Sequence, residues 1–345
     1  MNRRLIISMG IMILLTACTL PSQAPAPTPD LLATLSASTP LGGVPAIPTS
    51  DLIFSNPATT LTVPTSSSTN PPPGKIVFTC QVYKVQASNQ ICIINADGTG
   101  FRRLTTDSSR QHYYPSLSPD GQSVVYAAFR EENIYELYEM DLASGEVNQL
   151  TSRLGVVNAP EISPDGTSIA FTRWTVNSNR HTIMLAERNG ANAANIPGIT
   201  GWDPTWSPDG EALLFASDME GSIQLYTIHW DGKQLRRVSS LPALRGRSDW
   251  SNDGRHIVTY SGAPWKREVY LLNADGTNAR VLSPAGGNSQ GPSFSPDGQW
   301  VAFTAYYDHP GDDHGCEIYI LRIDGTDLRR LTDNDYCDYQ PRWGS

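Results

Sequence analysis

Ser118-Pro119-Asp120-Gly121 is the stretch on which the fold turns. The same word stands at Ser163-Pro164-Asp165-Gly166, Ser207-Pro208-Asp209-Gly210 and Ser295-Pro296-Asp297-Gly298, and Ser251-Asn252-Asp253-Gly254 is a fifth copy without its proline. Successive serines are 45, 44, 44 and 44 residues apart, so the chain is built from repeated units. Proline presets φ at the second turn position, Asp suits the third, and Gly supplies the φ > 0 that the fourth favours. Each copy leads into an apolar run, at residues 123–128, 168–172, 212–216, 256–260 and 299–304, and turn plus run reads as a hairpin.

A second word lies between copies of the first. Asn95-Ala96-Asp97-Gly98, Ser144-Gly145, Asn189-Gly190, Asp231-Gly232, Asn273-Ala274-Asp275-Gly276 and Asp324-Gly325 are further hairpin turns. Five of these six lead to an apolar residue followed by Thr or Ser: Leu104-Thr105, Leu150-Thr151, Val238-Ser239, Leu282-Ser283 and Leu331-Thr332. One unit is therefore strand A, Pro-Asp-Gly turn, strand B, variable loop, strand C, Asp-Gly turn, strand D.

This two-word unit resembles the WD-like repeat of the TolB β-propeller family over about residues 75–345. The resemblance implies an all-β fold, a six-bladed propeller. Residues 75–105 supply strands B, C and D without an A, whereas Tyr339-Gln340-Pro341-Arg342-Trp343 supplies an A alone and matches Asp203-Pro204-Thr205-Trp206. The C-terminal strand is expected to complete the first blade and close the ring, removing open sheet edges.

Residues 1–17 read as a signal segment: Arg3 and Arg4, an apolar run too short to span a bilayer comfortably, then Leu15-Thr16-Ala17-Cys18. That ending resembles a bacterial lipobox, which implies lipidation of Cys18 and anchoring of the chain to a membrane through acyl groups. Residues 18–73 contain twelve of the 26 prolines among many Ser and Thr, and read as a disordered, extended tether. Residues 74–345 form the propeller. The expected location is the cell envelope, on the extracytoplasmic side of a bacterial membrane. The net charge of −9, without basic clusters, argues against nucleic acid as a partner.

Catalysis finds no support in the motifs. A catalytic serine has no reason to recur in every blade, and Gly287-Asn288-Ser289-Gln290-Gly291 joins two strands where a nucleophile elbow needs a following helix. The arginine pairs Arg102-Arg103, Arg236-Arg237 and Arg329-Arg330 read as solvated charges on outer strands. Cys80, Cys92, Cys316 and Cys337 fall on the face of the B–C and D–A loops. Cys80–Cys92 and Cys316–Cys337 is the favoured pairing, with Cys337–Cys80 left open.

That face also carries the residues that do not repeat. Tyr113, Tyr114, Trp202, Asp203, Arg245, Arg247, Gln290 and Tyr339 stand at the starts of A strands and form the candidate ligand-binding rim. His309, Asp312, Asp313 and His314 form a weaker candidate cation site without a metal-motif spacing. No cofactor is expected. The reading is a monomeric, membrane-anchored binding or interaction module, its partner an envelope protein, a peptide or a glycan. The alternative is a metal-assisted glycan or peptide hydrolase or lyase using the same face.

Overall fold

A computed structural model of the chain describes residues 71–82, 88–131, 134–308 and 315–345. The signal segment, Cys18, the tether as far as residue 70, and His309, Asp312, Asp313 and His314 lie outside the described residues.

The Ser-Pro-Asp-Gly words form the same turn in every copy. The Ser Oγ donates to the Asp Oδ1 at 2.5–2.6 Å, and that same Oδ1 accepts the backbone N–H two residues on. The Ser Oγ in turn accepts the N–H five residues ahead at 2.9 Å, which starts the next strand. The copy with Asn252 makes the identical set, so the Asp-Gly pair carries the turn and proline only biases it. The apolar-Thr/Ser word is a second latch: the hydroxyls of Thr105, Thr151, Ser239, Ser283 and Thr332 each accept a backbone N–H near the start of the paired third strand.

Between these latches the chain forms β1 (Lys75–Gln81), β2 (Asn89–Asn95), β3 (Arg102–Arg103); β4 (His112–Leu117), β5 (Ser123–Glu131), β6 (Ile134–Asp141), β7 (Val147–Gln149); β8 (Val156–Ile162), β9 (Ser168–Thr175), β10 (Arg180–Glu187), β11 (Ala194–Asn195); β12 (Trp202–Trp206), β13 (Ala212–Ser217), β14 (Gln224–His229), β15 (Arg236–Arg237); β16 (Leu244–Trp250), β17 (His256–Ser261), β18 (Glu268–Asn273), β19 (Arg280–Val281); β20 (Gln290–Phe294), β21 (Trp300–Ala305), β22 (Glu317–Arg322), β23 (Arg329–Arg330); and β24 (Asp338–Gly344). Four four-stranded sheets result, one of them in the order β24-β1-β2-β3. The remaining two antiparallel sets, β4 to β7 and β8 to β11, run into one eight-stranded sheet through a single parallel pair, Tyr135 with Val156. The long β5–β6 hairpin carries Tyr135 far enough to donate its N–H to the Gly155 carbonyl at 3.1 Å.

The inner strands β4, β8, β12, β16, β20 and β24 pack in cyclic order, each on the next and β24 on β4. This is the architecture of a β-propeller. The closing strand pairs with β1, Ile76 opposite Trp343, as the sequence predicts. It also packs on β4 at Gly344, where a Cβ would lie 2.9 Å from the Leu117 side chain.

Each apolar cluster draws on two neighbouring antiparallel strand sets, so the strands after the turns are covered on both faces and read as runs rather than alternations. Tyr126, Phe171, Phe215 and Phe303, each eight residues past a turn serine, are buried in this way. Each such ring contributes about 1.5–3 kcal/mol. The favoured pairing of cysteines is the observed one: Cys80–Cys92 joins β1 to β2, with Cα atoms 5.9 Å apart, and Cys316–Cys337 ties the start of β22 to the approach of β24, with Cα atoms 4.4 Å apart.

Candidate functional site

Every inner strand breaks register, β16 a second time between Leu244 and Gly246. The shifts fall between Tyr113 and Ser116, Asn158 and Glu161, Trp202 and Thr205, Gly246 and Asp249, and Gln290 and Ser293, and β24 has its own opposite Val77 to Thr79. At each bulge one residue takes positive φ: Tyr114 (54°), Ala159 (50°), Asp203 (53°), Arg247 (23°), Gly291 (61°) and Gln340 (57°). Left-handed backbone is uncommon outside glycine and is held here by the bulge. Proline follows in all but Arg247, at a point where the ladder has no use for an N–H. These six residues lie around the central channel.

Two residues further along the same strands comes a layer of Ser116, Glu161, Thr205, Asp249, Ser293 and Arg342. The Arg342 guanidinium reaches Glu161 at 3.4 Å and Asp249 at 3.8 Å, and donates twice to the Ser248 carbonyl at 3.2 Å. Glu161 accepts from the Thr205 hydroxyl (2.7 Å) and the Trp206 N–H (3.2 Å), and Asp249 from the Ser293 hydroxyl (2.7 Å) and the Phe294 N–H (2.9 Å). Each carboxylate therefore bolts its own strand to the next. Burial pushes the Glu161 carboxyl up, against the pull of Arg342.

The layer separates two cavities. On the turn side, one of about 230 Å³ is lined by Glu161, Asp249, Arg342 and the turn prolines. On the loop side, one of about 310 Å³ is lined by Gln81, Tyr114, Asp203, Arg247, Tyr260 and Gln290, with Gly291, Thr304, Tyr306, Cys337, Tyr339 and Gln340. Five of the predicted rim residues, Tyr114, Asp203, Arg247, Gln290 and Tyr339, thus meet around one space. Arg247 is 5 % exposed; its Nη2 donates to the Pro115 and Gln340 carbonyls at 3.4 and 3.3 Å, and its guanidinium lies 5.4 Å from the Tyr114 ring centre. Burial and the neighbouring Arg342 push Arg247 down to about 10. Gln340 Oε1 accepts from the Thr79 hydroxyl at 2.9 Å and the Tyr114 N–H at 3.0 Å.

The other three rim candidates are employed elsewhere. Tyr113 Oη accepts from Asn89 Nδ2 at 3.1 Å and its ring packs on Tyr135. Trp202 donates from Nε1 to the Arg245 carbonyl at 3.4 Å, beside Gly246 (φ 127°), where a Cβ would sit 2.7 Å from that nitrogen. Arg245 donates from Nε to the Gly262 carbonyl at 3.3 Å. His112 is buried against Tyr126, and burial lowers its basicity. Two arginine pairs are exposed on outer strands, but Arg329 and Arg330 are not simply solvated. Arg329 pairs with Asp327 at 2.6 Å and stacks on Trp300 at 4.8 Å, and Arg330 reaches the buried Glu317 at 3.3 Å. Acids of the last hairpin and a neighbouring indole recruit this pair.

Tyr260, Gln81, Thr304 and Gln340 escape a sequence reading that stops at loop ends. For Gln340 a signal was present: the left-handed residue stands four before each turn serine and the polar-layer residue two before it, and Gln340 and Arg342 match these positions in the closing strand. Among the described residues no group of three or more His, Cys, Asp or Glu is placed to hold a metal ion.

Sheets set around a channel, with inner strands bulged toward it, define the class as a β-propeller whose channel is bridged by side chains. A family model described as the TolB beta propeller domain matches residues 73–312, and the chain belongs to that family. The chain is 26 % identical over 209 residues to YuxL of Bacillus subtilis, named an uncharacterized peptidase, a match covering 48 % of this chain and 32 % of that protein. It is 26 % identical over 218 residues to the Tol-Pal system protein TolB of Francisella tularensis, covering 62 % and 50 %. The chain thus spans about a third and a half of these two relatives. The crystal structure of TolB from Acinetobacter baumannii shares the fold, with a TM-score of 0.69 at 22 % identity over 80 % of this chain and 67 % of that one.

Proposed function

We propose that the protein is a binding or interaction module of the cell envelope, held to a membrane by lipid on Cys18, spaced by residues 19–73, and presenting a six-bladed propeller. The eight-stranded sheet then counts as two blades bridged by Tyr135 and Val156. Ligand recognition falls to the loop face. The observation that carries this reading is the division of labour along each inner strand: repeated residues are consumed in turn bonds, while Tyr114, Asp203, Arg247, Gln290 and Tyr339 gather around the 310 Å³ cavity. That volume lies at the lower end for ligand pockets. The family relationship to TolB of the Tol-Pal system supports an envelope partner and an extracytoplasmic location. The peptidase name of the Bacillus relative belongs to a protein of which this chain spans about a third, and no catalytic role is assigned here.

The test is a pull-down from native envelope with the propeller as bait, in wild type and with Arg247→Gln and Gln290→Ala. A partner captured by wild type and lost in both variants is expected, with Gln290→Ala, which removes the acceptor of Arg267 Nη1, still unfolding cooperatively. Turnover of a glycan or peptide by the purified protein, abolished by the same substitutions, would replace this reading with an enzymatic one. The anchor is checked by incorporation of labelled palmitate, expected in wild type and absent in Cys18→Ser.

A further inference from the structure

The loop-face cavity holds more hydrogen-bonding capacity than the protein satisfies. Arg247 Nε and Thr304 Oγ1 are both buried without a partner, on residues 5 % and 0 % exposed that line the same space. Buried polar groups are nearly always paired, so two orphans on residues that line one cavity need an explanation. The charges of Asp203 and Glu161 act on Arg247 without a direct contact to its guanidinium. Among the described residues its guanidinium forms no ion pair, and its Nη2 bonds only to carbonyls, at long distances. The one carboxylate lining the cavity, Asp203, spends Oδ2 on the Arg247 backbone N–H at 3.1 Å. Arg342, itself held by Glu161 and Asp249, lies close behind.

We propose that Arg247 receives a ligand carboxylate in this cavity. A guanidinium taken from water without a paired counter-ion is costly, and a carboxylate both neutralises it and matches its planar donors in a bidentate pair. Thr304 Oγ1 is available to the remaining lone pair. The Tyr114 ring already stacks by the guanidinium and fixes its plane. A phosphate, with its second charge, would face Asp203 across the same small space. Gln81 and Gln290 spend their Oε1 on the Cys337 N–H and on Arg267, so their Nε2 groups and Tyr260 are left to contact the atoms that carry the carboxylate. This inference rests on the loop face being the binding face.

The experiment follows the Arg247 Nε–H resonance in ¹H–¹⁵N spectra of the full chain in detergent, assigned by its disappearance in Arg247→Lys. The probes are acetate, N-acetylglycine and galacturonate, with acetamide and methyl galactoside as uncharged counterparts. Each carboxylate is expected to move the resonance saturably and to bind at least about tenfold more tightly than its uncharged counterpart, with Thr304→Val weakening binding several-fold. Tighter N-acetylglycine would name a peptide chain end as the source, tighter galacturonate a sugar acid; both uphold the carboxylate. Equal response to acetate and acetamide, or no response to any carboxylate, overturns the proposal; should Arg247→Lys not fold, calorimetric titration of wild type and Thr304→Val with the same pairs of probes decides it. Envelope capture that still depends on Gln290 while no carboxylate moves the resonance would leave the binding face standing and remove only this inference.

Discussion

The two faces of the propeller are made from opposite materials. On the turn face one set of hydrogen bonds is written five times, from the Ser118–Asp120 pair to the Ser295–Asp297 pair, and the carboxylates of Asp120, Asp165, Asp209 and Asp253 are held below their ordinary range, first by the serine hydroxyls. On the loop face the Thr105, Thr151, Ser239, Ser283 and Thr332 latches recur, but the residues that line the cavity do not. Asp338 sits buried beside Glu317, and burial pushes its carboxyl up to about 8; Arg247, Thr304 and Asn288 keep unpaired atoms. The difference teaches that the repeated residues are spent on bonds within the fold, while the residues gathered around the loop-face cavity are ones that do not repeat.

The largest test removes the element both faces depend on. Without residues 338–345, β1 and β4 lose the strand between them, and cooperative thermal unfolding by circular dichroism is expected to disappear. Next is the layer between the faces. Arg342→Met strands Glu161 and Asp249 as buried charges and should cost about 3–5 kcal/mol in urea unfolding. Asp209→Ala on the turn face should cost only about 1 kcal/mol, one exposed set of hydrogen bonds. Similar losses in the two variants would erase the contrast.

The third test uses pH, with opposite signs on the two faces. The Asp338 carboxyl is raised in the fold above its ordinary value of 3.8, so between about 4 and 8 the folded chain holds a proton that the unfolded chain has lost. Its stabilisation is complete below that window and falls as pH rises through it. The turn carboxylates are lowered, so their contribution is present above the ordinary carboxylate range and lost in acid. Urea midpoints for wild type minus Asp338→Asn should decline from pH 4 to 8 and then level; a flat difference would show that Asp338 is not held protonated. The smallest effect is Asn252→Pro, which restores the repeated word. It should raise stability by about 0.4–1 kcal/mol less whatever the Asn252 bond to the Pro296 carbonyl contributes, read from the thermal midpoint.

The turns, the outer strands, the closing strand and the cysteine pairing were legible because each depends on residues close in sequence or on a fixed offset from the turn serine. The cavity was legible only in half. Tyr114 and Arg247 stand at the ends of strands where a reader looks for loops, but Tyr260 and Thr304 enter from the second strands, and only ring geometry brings them to the same space. Arg342 with Glu161 and Asp249 was unread for another reason: an acid in a β-strand looks like a solvent-facing residue until the bulge turns it inward. Tyr135 with Val156 depends on hairpin length across two units, which no single repeat encodes.

The pairing of β1 with β24 has a consequence in time. Trp343 donates its indole N–H to the Pro73 carbonyl, 270 residues away in the chain. At synthesis rates of 5–20 residues per second, β1 would wait on the order of tens of seconds for the strand that covers it. Throughout that interval its edge is a docking site for any passing strand. A chain that folds as it emerges needs its first hairpin shielded; the closing strand thus makes the order of synthesis and folding part of how this protein survives to work.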